Sequence, residues 1–110
     1  MPDRHPLEAL LSKRIAIIDG AMGTTIRTYG MNEADMRGAR FKDARKDLLN
    51  NSDLFCLTQP QMIGDIHRRF LEAGADIIET NTFGATSISQ SEFFVDDPRE
   101  HGGRKDPAFY

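Results

Sequence analysis

In Ala75-Asp76-Ile77-Ile78-Glu79-Thr80-Asn81-Thr82-Phe83-Gly84-Ala85 two β-branched residues run straight into a polar loop. Ile77 and Ile78 bring bulk to both faces, as strands covered on both sides do. Thr80, Asn81 and Thr82 then set two hydroxyls and an amide at the C-terminal end of the strand. An earlier stretch, Arg14-Ile15-Ala16-Ile17-Ile18-Asp19-Gly20-Ala21-Met22-Gly23-Thr24-Thr25, has the same layout. Two strands that both end in polar groups predict an α/β site at that edge of a sheet.

Between them, Thr58-Gln59-Pro60-Gln61 has the form of a helix start, with Thr58 as cap, Gln61 completing a capping box and Pro60 in the first turn. Met62, Ile63, Ile66, Phe70 and Ala73 fall within an arc of about 100° on such a helix. Asp65, Arg68, Arg69 and Glu72 take the other side, with Asp65–Arg69 and Arg68–Glu72 at i,i+4 spacing. Gly74 stands where a C-terminal cap belongs. Shorter helices are expected over Pro6–Lys13, within Thr24–Tyr29 ahead of Gly30, and from near Thr86 through Ser87-Ile88-Ser89-Gln90. Residues 31–53 mix both charge signs with few apolar anchors, which predicts a solvated excursion, a functional loop being the lesser alternative.

Strand, excursion, helix, strand and helix make a βαβ unit with a right-handed crossover, the opening of a larger α/β domain. Residues 1–95 form one body on this reading, and 96–110, rich in Asp, Pro, Gly and Arg, read as loop, insertion or disorder. At 110 residues there is room for one domain at most. A net charge of −3 gives no electrostatic case for nucleic acid or an anionic membrane. No apolar run approaches the ~20 residues of a membrane span, and Met1-Pro2-Asp3-Arg4-His5 lacks a signal-peptide core. The single cysteine, Cys56, forms neither an intramolecular disulfide nor a Cys-rich metal site by itself. A cytoplasmic protein is expected.

Four blocks in order, Ile17-Ile18-Asp19-Gly20-Ala21-Met22-Gly23-Thr24, Asn32-Glu33-Ala34-Asp35-Met36-Arg37-Gly38, Leu57-Thr58-Gln59-Pro60 and Glu72-Ala73-Gly74-Ala75-Asp76-Ile77-Ile78-Glu79-Thr80-Asn81-Thr82-Phe83, closely resemble the start of the homocysteine S-methyltransferase domain. More narrowly, they resemble the N-terminal module of cobalamin-dependent methionine synthases. The resemblance implies a (β/α)₈ TIM barrel, of which this chain would be the first β-α-β portion. It also implies methyl transfer to homocysteine from methylcobalamin, recharged by methyltetrahydrofolate on other modules. The partners implied are homocysteine and the remaining barrel, folate and cobalamin modules. A barrel takes about 250 residues, and the family's zinc-binding Gly-Cys-Cys segment is absent, so the chain reads as an N-terminal fragment. Zinc and cobalamin belong to the full-length family, and neither is expected on this chain; no catalytic or metal residue is assigned. Asp19, Gly20, Thr80, Asn81 and Thr82 would line the barrel mouth as substrate-binding residues.

Plainer roles stand beside these. Asp19 could cap the following turn, Gly20 and Gly23 could serve backbone geometry, and the Asn81 cluster could be a hydrogen-bonded strand end. Glu79 could face a polar layer or solvent. Cys56 and His67 read as structural, Phe83 as packing, and His5 and His101 lie where no partners at ligand spacing are evident. Two other functions remain open: a small βαβ module holding an anion at Gly20–Gly23 and a helix N-terminus, and an inactive fragment.

Overall fold

The structure, a computed structural model, describes residues 5–94. Its longest element is the apolar-striped helix expected from the sequence. The helices are α1 (Pro6–Leu11), α2 (Met22–Arg27), α3 (Glu33–Arg37), α4 (Phe55–Thr58), α5 (Pro60–Glu72) and α6 (Ser87–Phe94), with a 3₁₀ turn at Ser52–Leu54. Met62, Ile63 and Ile66 of α5 are buried, and α2 and α4 pack against α5 while α3 packs against α4. The core gathers Ile26, Met36, Leu48, Leu54 and Phe55 onto that stripe.

The expected β-α-β portion of a TIM barrel is not what the structure contains. Among the described residues there is no strand and no sheet, and the two candidate strands touch at a single parallel bridge, Ile18 with Ile77. Asp19 N–H donates to the Ile77 carbonyl at 2.9 Å, and Asp76 and Ile77 N–H both donate to the Ile17 carbonyl at 2.8 and 3.2 Å. Pairing then stops because carboxylates take the next donors. Ile17 N–H goes to Asp76 Oδ2 at 2.9 Å and Glu79 N–H to Asp19 Oδ1 at 3.0 Å. With no third segment over it, Ile15 is 86% exposed, and Ile17 and Ile18 are each more than half exposed.

Residues 31–53 depart from expectation in the other direction. Asn32 and Asp35 close a capping box at the start of α3, each side chain accepting the other's backbone N–H. Met36 and Leu48 are fully buried. The segment between them is tied down from Arg37, which pairs with Glu33 and lies 3.9 Å from Asp47 Oδ1. Arg37 Nε donates to Glu33 Oε1 at 2.9 Å, and its remaining nitrogens reach the carbonyls of Lys42, Ala44 and Lys46 at 3.3, 2.6 and 3.0 Å. Glu33 in turn accepts Leu48 N–H at 2.6 Å and Leu49 N–H at 2.8 Å. Burial works to raise the Glu33 carboxyl, but those two amides and Arg37 outweigh it and hold it below the usual glutamate range.

The expected capping box at Thr58 does not form. Thr58 ends α4, with its hydroxyl donating back to the Leu54 carbonyl at 3.3 Å, and α5 starts after Gln59 without a side-chain cap. On the outer face of α5, Arg68 pairs with Asp65 at 2.8 Å, one turn back rather than forward to Glu72. Gly74 follows the helix with φ +113°, a conformation that side-chain-bearing residues resist. Of the tail expected to be loop from 96 onward, all lies outside the described residues, as does His101.

Candidate functional site

Where the two bridged segments part, their polar ends open onto a cavity of about 430 Å³. Asp19, Gly20, Thr80, Asn81 and Thr82 all line it, so the five residues singled out from the sequence are brought together at one place. They do not stand there in equal roles. The Asp19 side chain is only 4% exposed, with one oxygen on Glu79 N–H and the other 3.9 Å from His67 Nδ1. That His67 nitrogen is buried and has no hydrogen-bond partner among the described residues. The Asn81 amide is turned inward, donating to the Ser52 carbonyl at 2.8 Å. Thr80 and Thr82 face each other across 2.7 Å between hydroxyl oxygens, and both residues are exposed.

Sequence reasoning missed the opposite wall. Asn50, Ser52 and Asp53 come from the stretch read as excursion, brought there by the 3₁₀ turn that leads into α4. Phe83 projects fully exposed at the rim. Glu79 also lines the cavity and is exposed. With Asp19 and Asp53 that makes three acidic residues in its lining, and among the described residues no lysine or arginine lines the cavity.

The floor follows from a local backbone feature. Ala21 carries φ +51°, the left-handed region that an alanine enters at a cost, and it begins α2 with no side-chain cap. The flanking Gly20 and Gly23 have ordinary φ and nothing within 4 Å of where a Cβ would be. Their reading as residues needed for backbone geometry is therefore corrected: the left-handed turn falls on Ala21, and the glycines leave open space. His5, read from the sequence as lacking partners at ligand spacing, caps α1, its Nδ1 accepting Leu7 N–H at 3.1 Å.

At the other end of the bridge, the Arg14 guanidinium forks onto the Asp76 carboxylate. This hydrogen bond, followed by that from Ile17 N–H, holds Asp76 below the usual carboxylate range against the opposing effect of burial, and it raises Arg14 in return. Among the described residues no three His, Cys, Asp or Glu side chains gather as metal ligands. Cys56 is half-buried and donates its thiol to the Asn81 carbonyl at 3.3 Å. These residues do not fit a zinc ion, which takes four ligands or three with an open position. No described helix is long and apolar enough to cross a membrane.

Residues 16–102 match a family model described as homocysteine S-methyltransferase. The match takes in both bridged segments, both cavity walls and the helices between them, most of the 110 residues. The chain belongs to the homocysteine S-methyltransferase family, whose members bind homocysteine as substrate and transfer a methyl group to it.

Proposed function

We propose that the cavity holds homocysteine, and that the chain serves an enzyme of the methionine synthase kind. The observation that carries the first part is the sign of the cavity: Asp19, Asp53 and Glu79 line it without a cationic side chain. An amino acid presents an ammonium group, and a carboxylate gives it a charge-assisted hydrogen bond. Glu79 is the acidic residue left to do so, because Asp19 and Asp53 are already engaged by backbone N–H groups. Thr80 and Thr82 offer hydroxyls that donate or accept as the ligand requires. Methylcobalamin as donor, recharged from methyltetrahydrofolate, rests on the four sequence blocks. Zinc and cobalamin are cofactors of the whole enzyme on this reading, and rest on the same four blocks. What these residues contribute is binding and orientation of the amino acid portion of the substrate.

The anion-holding alternative loses its support here. Three carboxylates around Gly20–Gly23 repel an anion, and α2, at six residues, offers only a short N-terminus.

Calorimetric titration with homocysteine tests the reading, using Glu79→Gln and, as a second probe, 4-mercaptobutanoate, which lacks the ammonium. Removing a charge-assisted bond worth about 1.5–3 kcal/mol should weaken binding roughly 10- to 150-fold with the melting temperature unchanged. The wild-type chain should bind homocysteine saturably and the mercaptobutanoate far more weakly. Equal affinity for both probes, or for both proteins, refutes the assignment.

A further inference from the structure

Gly84, one residue beyond the cavity wall, is gripped on both sides. Its N–H donates to Asp53 Oδ1 and Oδ2 at 3.2 and 3.1 Å, and its carbonyl accepts the Gln90 amide at 2.9 Å. The same Gln90 nitrogen donates to Asn51 Oδ1 at 3.0 Å, while Asn51 Nδ2 returns a bond to Gln90 Oε1 at 2.7 Å. Asn51 is 2% exposed, so this amide pair is a satisfied buried network of the kind that fixes one geometry. A Cβ built on Gly84 would lie 2.7 Å from Asp53 Oδ2. A glycine is required for the carboxylate to come this close.

The loop between Thr80 and Ala85 has no regular structure, and Asn81 and Gly84 are its anchors. Thr82 and Phe83, the exposed wall residues, hang between those two points. We propose that the Asp53–Gly84–Gln90 clamp, with Asn51 orienting Gln90, is a positioning device that sets where Thr82 and Phe83 stand against the substrate. The proposal rests on the homocysteine reading of the cavity. Gln90 and Asn51 do not line the cavity, so they act on it through Gly84.

Gln90→Leu keeps the bulk and removes both of its hydrogen-bonding arms, and Gly84→Ala presses on the clamp from the other side. Amide hydrogen exchange at Gly84 and its neighbours, homocysteine affinity and melting temperature are measured on each. Exchange at Gly84 should quicken roughly tenfold, the equivalent of one hydrogen bond. Homocysteine should bind several-fold more weakly, short of the ~10²-fold that a 1 Å misplacement can cost. Thr82→Val should also cost less affinity in the Gln90→Leu background than in wild type, because the hydroxyl is already misplaced. A lower melting temperature with unchanged affinity and unchanged Thr82 coupling would mean that the network only stabilises the fold, and the proposal falls. A wild-type chain that binds no homocysteine defeats the cavity reading, and the substrate-positioning role of the clamp falls with it.

Discussion

Arg37→Ala removes one side chain and unfastens a whole segment. Its guanidinium serves three backbone carbonyls between Lys42 and Lys46 as well as Glu33, and without it those carbonyls lose this donor together while Glu33 keeps only the Leu48 and Leu49 amides. Breaking a fully buried ion pair costs about 3–5 kcal/mol. The Arg37 and Glu33 side chains are 18% and 32% exposed, so water recovers part of the loss. We expect about 2–4 kcal/mol, taking each charge-assisted bond at ~1.5–3 kcal/mol and treating the set as non-additive. For a domain of this size the melting temperature should drop by on the order of 10 °C or more. Arg37→Lys keeps the charge without the fork, serves one or two acceptors, and should recover less than half the loss.

Glu33→Gln checks the same hub from the other end. Leu48 and Leu49 N–H sit on different oxygens of the carboxylate. A glutamine therefore meets one of them with its own NH₂, donor against donor. Because Glu33 sits below its ordinary value of 4.5 in the folded chain, its contribution is complete above that pH and is lost as the pH falls through the folded value. The gap between wild type and Glu33→Gln should accordingly be widest near neutrality and close in acid. Thermal melts from pH 7 downward, with amide exchange at Leu48 and Leu49, measure both effects. Arg37→Ala within 0.5 kcal/mol of wild type, or Arg37→Lys equal to wild type, would show that the segment is held by its apolar contacts and not by the fork.

Two further outcomes follow from the bridged segments. Asp19→Ala should lower stability by about 0.5–1.5 kcal/mol by removing the acceptor of Glu79 N–H, while Asp19→Asn keeps an acceptor oxygen, turns its NH₂ toward His67 Nδ1 and recovers most of it; equal loss of homocysteine affinity in both variants with stability intact would instead place the carboxylate on the substrate. Ile15→Lys combined with Ile17→Lys should leave the melting temperature within a degree or two and reduce self-association seen by sedimentation, since both side chains are more than half exposed; unchanged association would put the sticky surface elsewhere.

The helices were legible where their signals are local. The stripe of α5, the proline in its first turn, Gly74 beyond its end and the start near Thr86 are all read within a few residues of chain. Residues 31–53 were opaque for a physical reason. Glu33 and Arg37 at i,i+4 look like a surface pair, and nothing in the sequence says that Arg37 also reaches carbonyls up to nine residues away. Two signals there were available: Asn32 three residues before Asp35 is a capping box, and Met36 and Leu48 are the apolar anchors that end up fully buried. The wall built by Asn50, Ser52 and Asp53 left no local mark, because the partners of Ser52 and Asp53 are Asn81 and Gly84. His67 is similar: it belongs to the margin of a helix stripe by spacing, and only the fold brings it to Asp19.

The same residues explain why the two segments meet at a cavity and form no sheet. Polar groups at the ends of two apolar runs predict a site at a sheet edge, and the β-branched runs predict the sheet. A carboxylate beside an extended segment competes with the neighbouring backbone for N–H donors, as short polar side chains do wherever they can reach. Asp76 takes Ile17 N–H at one end of the contact and Asp19 takes Glu79 N–H at the other. The pairing is bounded by side chains within a few residues, and what remains is one bridge. Beyond Glu79 the second segment is free of the first, so Thr80–Phe83 swings out to meet the turn at Ser52–Leu54 and closes a concave wall. Asp19 thus ends the pairing and opens the cavity in a single interaction. A longer ladder through Glu79 would hold Thr80 and Thr82 against the first segment, away from the Asn50–Asp53 wall that completes the site.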